Sequence, residues 1–372
     1  MTAIRVLTGP FHPDLEESLR AHLEAWSRPG EKGRPLPAFA LVAPSQEMRR
    51  HLKRLITLRW GMTLAGAHLL TAYHLSRRIV RASDGPPPPA DDLILEGLIR
   101  ELVLAGDFPA EWKGIVRTAG GAGALHRTLR DLEEARVPAA GGRGDPILRL
   151  HARYQKARRE RGFGTHTDPV EAAIGLSAES AFLRSLDHVA YYGFYDMTQV
   201  QLDLLERVSS VSPTTFFLPC VPGHRAYGFA EDFLEVLRGR FPEADVRPAT
   251  DGEGQERKGG APPGGPSPVL RSALDRIFRD EPGDRGAAAA AAAAEAAAKL
   301  ESYTASGPEA ELEIAAKRIL RWTEEEGFRF DEMGVVARRL SPYLPFLAAV
   351  FDAHAVPFRT PEAQPVSRLP WA

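Results

Sequence analysis

The chain has 372 residues, 44% of them hydrophobic, which is enough for two or three packed domains. A formal net charge of −2 excludes a global basic field that would announce a nucleic-acid partner, and the single cysteine, Cys220, excludes a disulfide framework or a multi-cysteine metal site. Arginine outnumbers lysine 40 to 7, a bias that a GC-rich coding sequence explains most simply and that also suits bidentate phosphate contacts. No apolar run reaches membrane-spanning length, and MTAIRVL lacks the basic-then-apolar order of a signal peptide, so a cytoplasmic protein without a membrane partner is expected.

In chain order, the stretch VLTGPFHPDLEESLRAHL (6–23) reads as the end of a strand, a turn at Gly9 and an amphipathic helix. A strand–loop–helix at this place is where a phosphate-binding loop carries G-x-x-x-x-G-K-[ST]. With Gly9 as the first glycine, Asp14 stands at the second glycine, Leu15 at the lysine and Glu16 at the hydroxyl. Backbone amides and a lysine hold a polyphosphate; Asp14 and Glu16 would instead add about 1 kcal/mol of repulsion per charge pair even at water-like screening. Asp14 is better placed as an N-cap, with Glu16 and Glu17 against the positive end of the helix dipole.

Further apolar runs, FALVAP (39–44), HLLTAYH (68–74), VAYYGF (189–194) and TTFFLP (214–219), suit strands buried on both faces of a parallel sheet. Helical patterns such as SQEMRRHLKRLITL and TQVQLDLLERV separate them, which predicts an α/β layered fold. Between Pro86 and Asp187 the strand pattern gives way to helical periodicity, so residues 1–84 and 187–247 form one α/β domain with a helical insertion over 85–186. Gly/Pro-rich and Ala-rich stretches make 248–300 a linker. A helix over EAELEIAAKRILRWTEEE, a strand over MGVVAR (333–338) and a helix over YLPFLAAVFDAHAV begin a second α/β domain, 301–372, that is incomplete unless a partner or further sequence closes its sheet.

The order of these segments resembles the superfamily-1 helicase-like subunits of bacterial recombination nucleases, the AddB/RexB and RecC type related to UvrD-like helicases. LVAPSQEMRRHLKRL (41–55) looks like the segment after the second strand, and LLTAYHLSRRIV (69–80) like the one that follows it. In that family both line the path of single-stranded DNA, which singles out Ser45, Arg49 and Arg50, then Thr71, Tyr73 and His74. VAYYGFYDMTQVQLDLL (189–205) is similar to the hydrophobic strand and V-D-E-F-Q-D-T-N-x-x-Q of active relatives, with Phe194, Asp196 and Gln201 in register. There the metal-binding Asp and water-activating Glu are replaced by Tyr192 and Gly193, a departure that AddB-type proteins share. HRAYGFAEDF (224–233) resembles a segment whose aromatic, here Tyr227, stacks on a base, and Arg338 falls where active enzymes carry an ATP-contacting arginine.

The resemblance implies a RecA-like, P-loop-type sheet with a helical insertion and part of a second RecA-like domain. It implies a DNA-repair protein without ATP or other cofactor, without catalytic residues of its own, that guides single-stranded or end DNA beside an active AddA-like helicase–nuclease subunit. Any nuclease centre would lie beyond residue 372, since no E-x-K pair follows a suitable strand. The competing expectation is a protein-interaction scaffold that kept the fold and lost both ligands, which the near-neutral charge favours. Simpler readings accompany single features. The basic residues 49–59 and 153–161 could be solvated helix faces, the His12 and His166 neighbourhoods ordinary turns, and the aromatics 191–195 core.

Overall fold

The computed structural model describes residues 4–27, 37–63, 65–80, 85–118, 120–138, 144–249 and 300–360, with Ala294 and Ala297 between the last two segments. The chain divides into two compact units, Met1–Gly260 and Ala261–Ala372. Apart from Pro248, Ala249, Ala294, Ala297 and Leu300, the expected linker 248–300 lies outside the described residues, as does the end of the chain from 361.

The first unit is built on six parallel strands: β1 (Ile4–Gly9), β2 (Phe39–Ala43), β3 (Ala67–Thr71), β4 (His188–Tyr192), β5 (Thr214–Pro219) and β6 (Asp245–Pro248). Their order across the sheet is β3-β2-β4-β5-β1-β6. This open sheet is compatible with a RecA-like arrangement. The four central strands are nearly continuous runs of buried residues, as a sheet covered on both faces requires. One face, with Val6, Val42, Tyr191 and Phe216, is covered by α3 (Ala72–Ile79), α8 (Asp168–Leu176), α10 (Gln199–Val211) and α11 (Gly228–Arg240). The other, with Leu7, Leu41, Tyr192 and Phe217, is covered by α1 (Glu16–Trp26) and α2 (Gln46–Arg54).

Connections run outward from β1 through β2 to β3, then return through β4 and β5 to β6. Because crossovers keep one hand, the reversal of direction moves the helices to the opposite face. Crevices therefore open at the carboxyl ends of the strands, between β1 and β5 and between β2 and β4, where α/β sheets take ligands.

Between β3 and β4 the chain is helical. Helices α4 (Asp92–Ala105), α5 (Ala110–Ile115), α6 (Gly121–Glu134) and α7 (Pro146–Glu160) surround a core of their own that includes Leu98, Ile99, Leu129, Leu150 and Tyr154. Helix α8 and the short α9 (Ala181–Arg184) instead add Val170, Ala173 and Leu183 to the core of the sheet.

The second unit, taken by itself, pairs α12 (Pro308–Glu326) with α13 (Leu344–Ala353) through Leu312, Ala316 and Ile319 against Leu347, Val350 and Phe351. The strand expected over 333–338 is not formed. Among the described residues no neighbouring strand offers it ladder hydrogen bonds, and Val336 is 94% exposed.

Candidate functional site

Gly9 ends β1 beside the cross-sheet neighbours of its strand: its carbonyl accepts from the Cys220 N–H at 3.1 Å. A Cβ on Gly9 would lie 3.3 Å from the Asp14 Cβ, a tight contact within the turn itself. The chain then turns through Phe11–Leu15, with His12 extended, before α1 begins at Glu16. Leu15, which directly precedes α1, is itself in helical conformation. Glu16 and Glu17 do lie in the first turn of α1, as the dipole argument expects.

The lysine position of the motif is turned inward. Leu15 is fully buried and joins Leu19 and Leu23 under the sheet. Above it Phe11 leans on Tyr192, ring centroids 6.0 Å apart, at the carboxyl end of β4. Gly193 follows with φ of +83°, and a Cβ there would come within 3.3 Å of both Phe11 and Met48. Aromatic and thioether groups thus occupy the position where a nucleotide site would place backbone amides and metal ligands.

The carboxylate of Glu16 stands beside this cluster, 3.1 Å from His12 Nδ1 and 3.6 Å from an Arg59 nitrogen. Burial, with the Glu16 charge, holds the Tyr192 phenol far above its ordinary range. Arg338 is exposed in the second unit, in a bend rather than at a strand end.

The residues expected on the DNA path converge at the carboxyl ends of β2 and β3, which are paired in register through Ala43 and Thr71. Ser45 accepts the Met48 N–H at 3.1 Å and so caps α2; Thr71 accepts the His74 N–H at 3.4 Å and caps α3. Both hydroxyls have a local structural task. His74 is held by its Nδ1, 2.7 Å from the Thr71 hydroxyl, with the Gln46 amide 3.4 Å from the ring. Burial and the nearby charge of Arg49 lower its pKa, which places a cation of α2 beside the first turn of α3. Arg49 is half-buried, Arg50 exposed, and Tyr73 sits edge-on to both His74 and His166.

Tyr227 does not join this group. It follows β5, half-buried against the sheet core and edge-on to His224. Gln201 accepts the Thr198 N–H at 3.3 Å and so begins α10. Of the aromatics 191–195, Tyr191, Tyr192 and Phe194 are core, but Tyr195 is 50% exposed and meets Phe229, itself 55% exposed, with centroids 5.4 Å apart. Phe229 lies within HRAYGFAEDF, two residues after Tyr227, and the fold brings it to Tyr195.

Within the second basic cluster, Arg153, Lys156, Arg158 and Arg161 each have a partner in the chain. Arg158 is 3% exposed and donates to both oxygens of Asp168 at 2.7 and 2.8 Å and to Glu133 at 3.2 Å. Arg161 grips Glu101 with two hydrogen bonds, Lys156 pairs with Glu160, and Arg153 lies over the Phe108 ring. Asp168 also accepts the Thr165 N–H, and among the described residues no group of three or more His, Cys, Asp or Glu side chains could hold a metal ion. Cys220 is buried, and chiefly through burial its thiol is pushed up to about 11.

No helix among the described residues is long and apolar enough to cross a membrane. No protein-family model matches this chain, and no curated protein matches it.

Proposed function

We propose that the chain is an ATP-inactive, RecA-like helicase-type protein of the AddB/RecC kind that holds single-stranded DNA for an active helicase–nuclease partner. The observation that carries the reading is a contrast between two ends of one sheet edge. At β1 and β4, where a translocase hydrolyses ATP, Leu15 is core, Phe11 covers Tyr192, and Glu16 presents negative charge. At β2 and β3, the two segments that resemble the DNA-lining ones lie side by side, with Arg49 and Arg50 on α2 and His74 and Tyr73 on α3. Phosphates would meet the arginines, and stacking would fall to exposed rings such as Tyr195 and Phe229.

The test is the salt dependence of single-strand binding by the intact chain and by the Arg49→Ala/Arg50→Ala variant. Each lost phosphate contact on a single strand removes about 0.7 from the slope of log K against log salt, so the double variant should lose about 1.4. An unchanged slope would remove these arginines from the interface. A scaffold that lost its DNA ligand would show no binding at low salt in either form.

A further inference from the structure

β3 is an edge strand, and among the described residues nothing pairs with its outer side. The direction of its backbone groups follows from one hydrogen bond. The Gly66 carbonyl accepts the Phe39 N–H of β2, at 3.3 Å. The Ala67 N–H shares that planar peptide unit and points the opposite way, out of the sheet. In an extended strand both polar groups of a residue point to the same side and alternate along the chain. Ala67 and Leu69 therefore present two N–H donors and two carbonyl acceptors to the outside, while His68 and Leu70 face β2.

This edge is the floor of a cleft of about 470 Å³ that runs over Ala67–Leu70. Arg49 from α2 and Arg77 and Arg78 from α3 wall it, and an adjoining cleft that shares Arg49, Ala67 and Leu69 adds Arg50 and Lys53 of α2. No carboxylate lines it. Among the described residues Arg49, Lys53 and Arg77 make no salt bridge, while Arg50 has only a loose one, 3.9 Å, to Glu47. The pKa values of both histidines at the cleft are lowered, first by burial and then by a facing cation, Arg78 for His68 and Arg49 for His74. The strand AHLLT carries neither charge nor proline to blunt its edge.

From this geometry we infer that the free edge of β3 is a docking groove for an acidic, extended peptide segment of a partner protein, which adds a seventh strand between α2 and α3. The partner's backbone satisfies the Ala67 and Leu69 groups, and its side chains alternate toward the two walls. Since both walls are positive, carboxylates are required on both faces of the incoming strand, which describes an acidic tail rather than an amphipathic strand. A nucleic-acid strand fits less well. Two carbonyls point into the cleft, where they accept N–H groups but repel phosphate, and its only rings are the imidazoles of His68 and His74. The groove shares Arg49, Arg50 and His74 with the DNA path proposed above, so the probes are chosen to tell the two ligands apart.

The experiment uses fluorescence anisotropy with a labelled peptide of about ten residues, composed of Glu and Thr so that carboxylates fall on both faces. A second probe is the same peptide N-methylated at alternate residues, which keeps the charge and cannot pair. We expect salt-sensitive binding of the first, at least tenfold weaker binding of the second, and at least a tenfold loss for the exposed pair Arg77→Glu/Arg78→Glu. Leu69→Pro removes an outward N–H and no ladder bond of the sheet, so it should abolish peptide binding and leave single-strand DNA binding unchanged. Should Leu69→Pro fail to fold by circular dichroism, the N-methylated probe makes the same distinction on the unaltered chain. Equal binding of both peptides overturns strand addition. Absence of peptide binding, with single-strand DNA lost in Arg77→Glu/Arg78→Glu, overturns it in favour of a nucleic-acid groove while the proposed function survives.

Discussion

Restoring the letters of a phosphate loop should not restore the site. In the double variant Leu15→Lys/Glu16→Thr the sequence regains a lysine and a hydroxyl at the positions the motif demands. Leu15, however, is fully buried among Leu19, Leu23 and the underside of the sheet. Deleting a buried leucine side chain costs about 2–5 kcal/mol, and the lysine ammonium must either lose its charge there or drag the turn open. Glu16→Thr adds little, because its partners His12 and Arg59 are partly exposed and such pairs contribute about 0–1 kcal/mol. At about 2–4 °C per kcal/mol for a unit of this size, Tm should fall by roughly 4–20 °C. A thermal melt by circular dichroism and a titration with a fluorescent ATP analogue read both quantities. Binding at micromolar analogue with an unchanged Tm would refute the argument that this turn is held by the core.

Removing the buried cation of the helical segment, Arg158→Met, leaves Glu133 and Asp168 unpaired and should cost about 3–5 kcal/mol at neutral pH in chemical denaturation. Burial already pushes the Glu133 carboxyl up against the pull of Arg158, so the penalty should shrink on acidification, as Glu133 takes up a proton. Burial lowers the pKa of His22, His126, His151 and His188 below the unfolded value of 6.5. The unfolded chain then binds more protons just below that pH, so stability should be full above 6.5 and decline as pH falls toward 5, seen as a falling Tm. Gly193→Ala forces a side chain into a left-handed conformation 3.3 Å from Phe11 and Met48, at a cost of about 1–2 kcal/mol in the same denaturation assay.

The sheet was legible because its strands are two-sided apolar runs. TTFFLP coincides with β5 residue for residue, and the first strand ends at Gly9 where the turn was expected. HLLTAYH misled at its end, since Thr71 caps a helix and Ala72 to His74 already wind into α3. β6 was missed because DVRP is a short, half-exposed edge without an apolar run. MGVVAR has strand composition but no described neighbour to pair with, which periodicity cannot reveal. At the site, alignment of the motif located Leu15 but not its direction, and no local pattern marks Phe11 as the residue that covers Tyr192. The Arg77–Arg78 pair was visible, yet its meaning depends on β3 being an edge, a property of strand order that no single segment encodes.

The central claim separates DNA binding from ATP. The most direct test is anisotropy of a labelled single strand of about 20 nucleotides, at low and moderate salt, with and without Mg-ATP. The account predicts binding that weakens steeply with salt and is indifferent to ATP. Binding that shifts with ATP, or no binding at low salt, would contradict it.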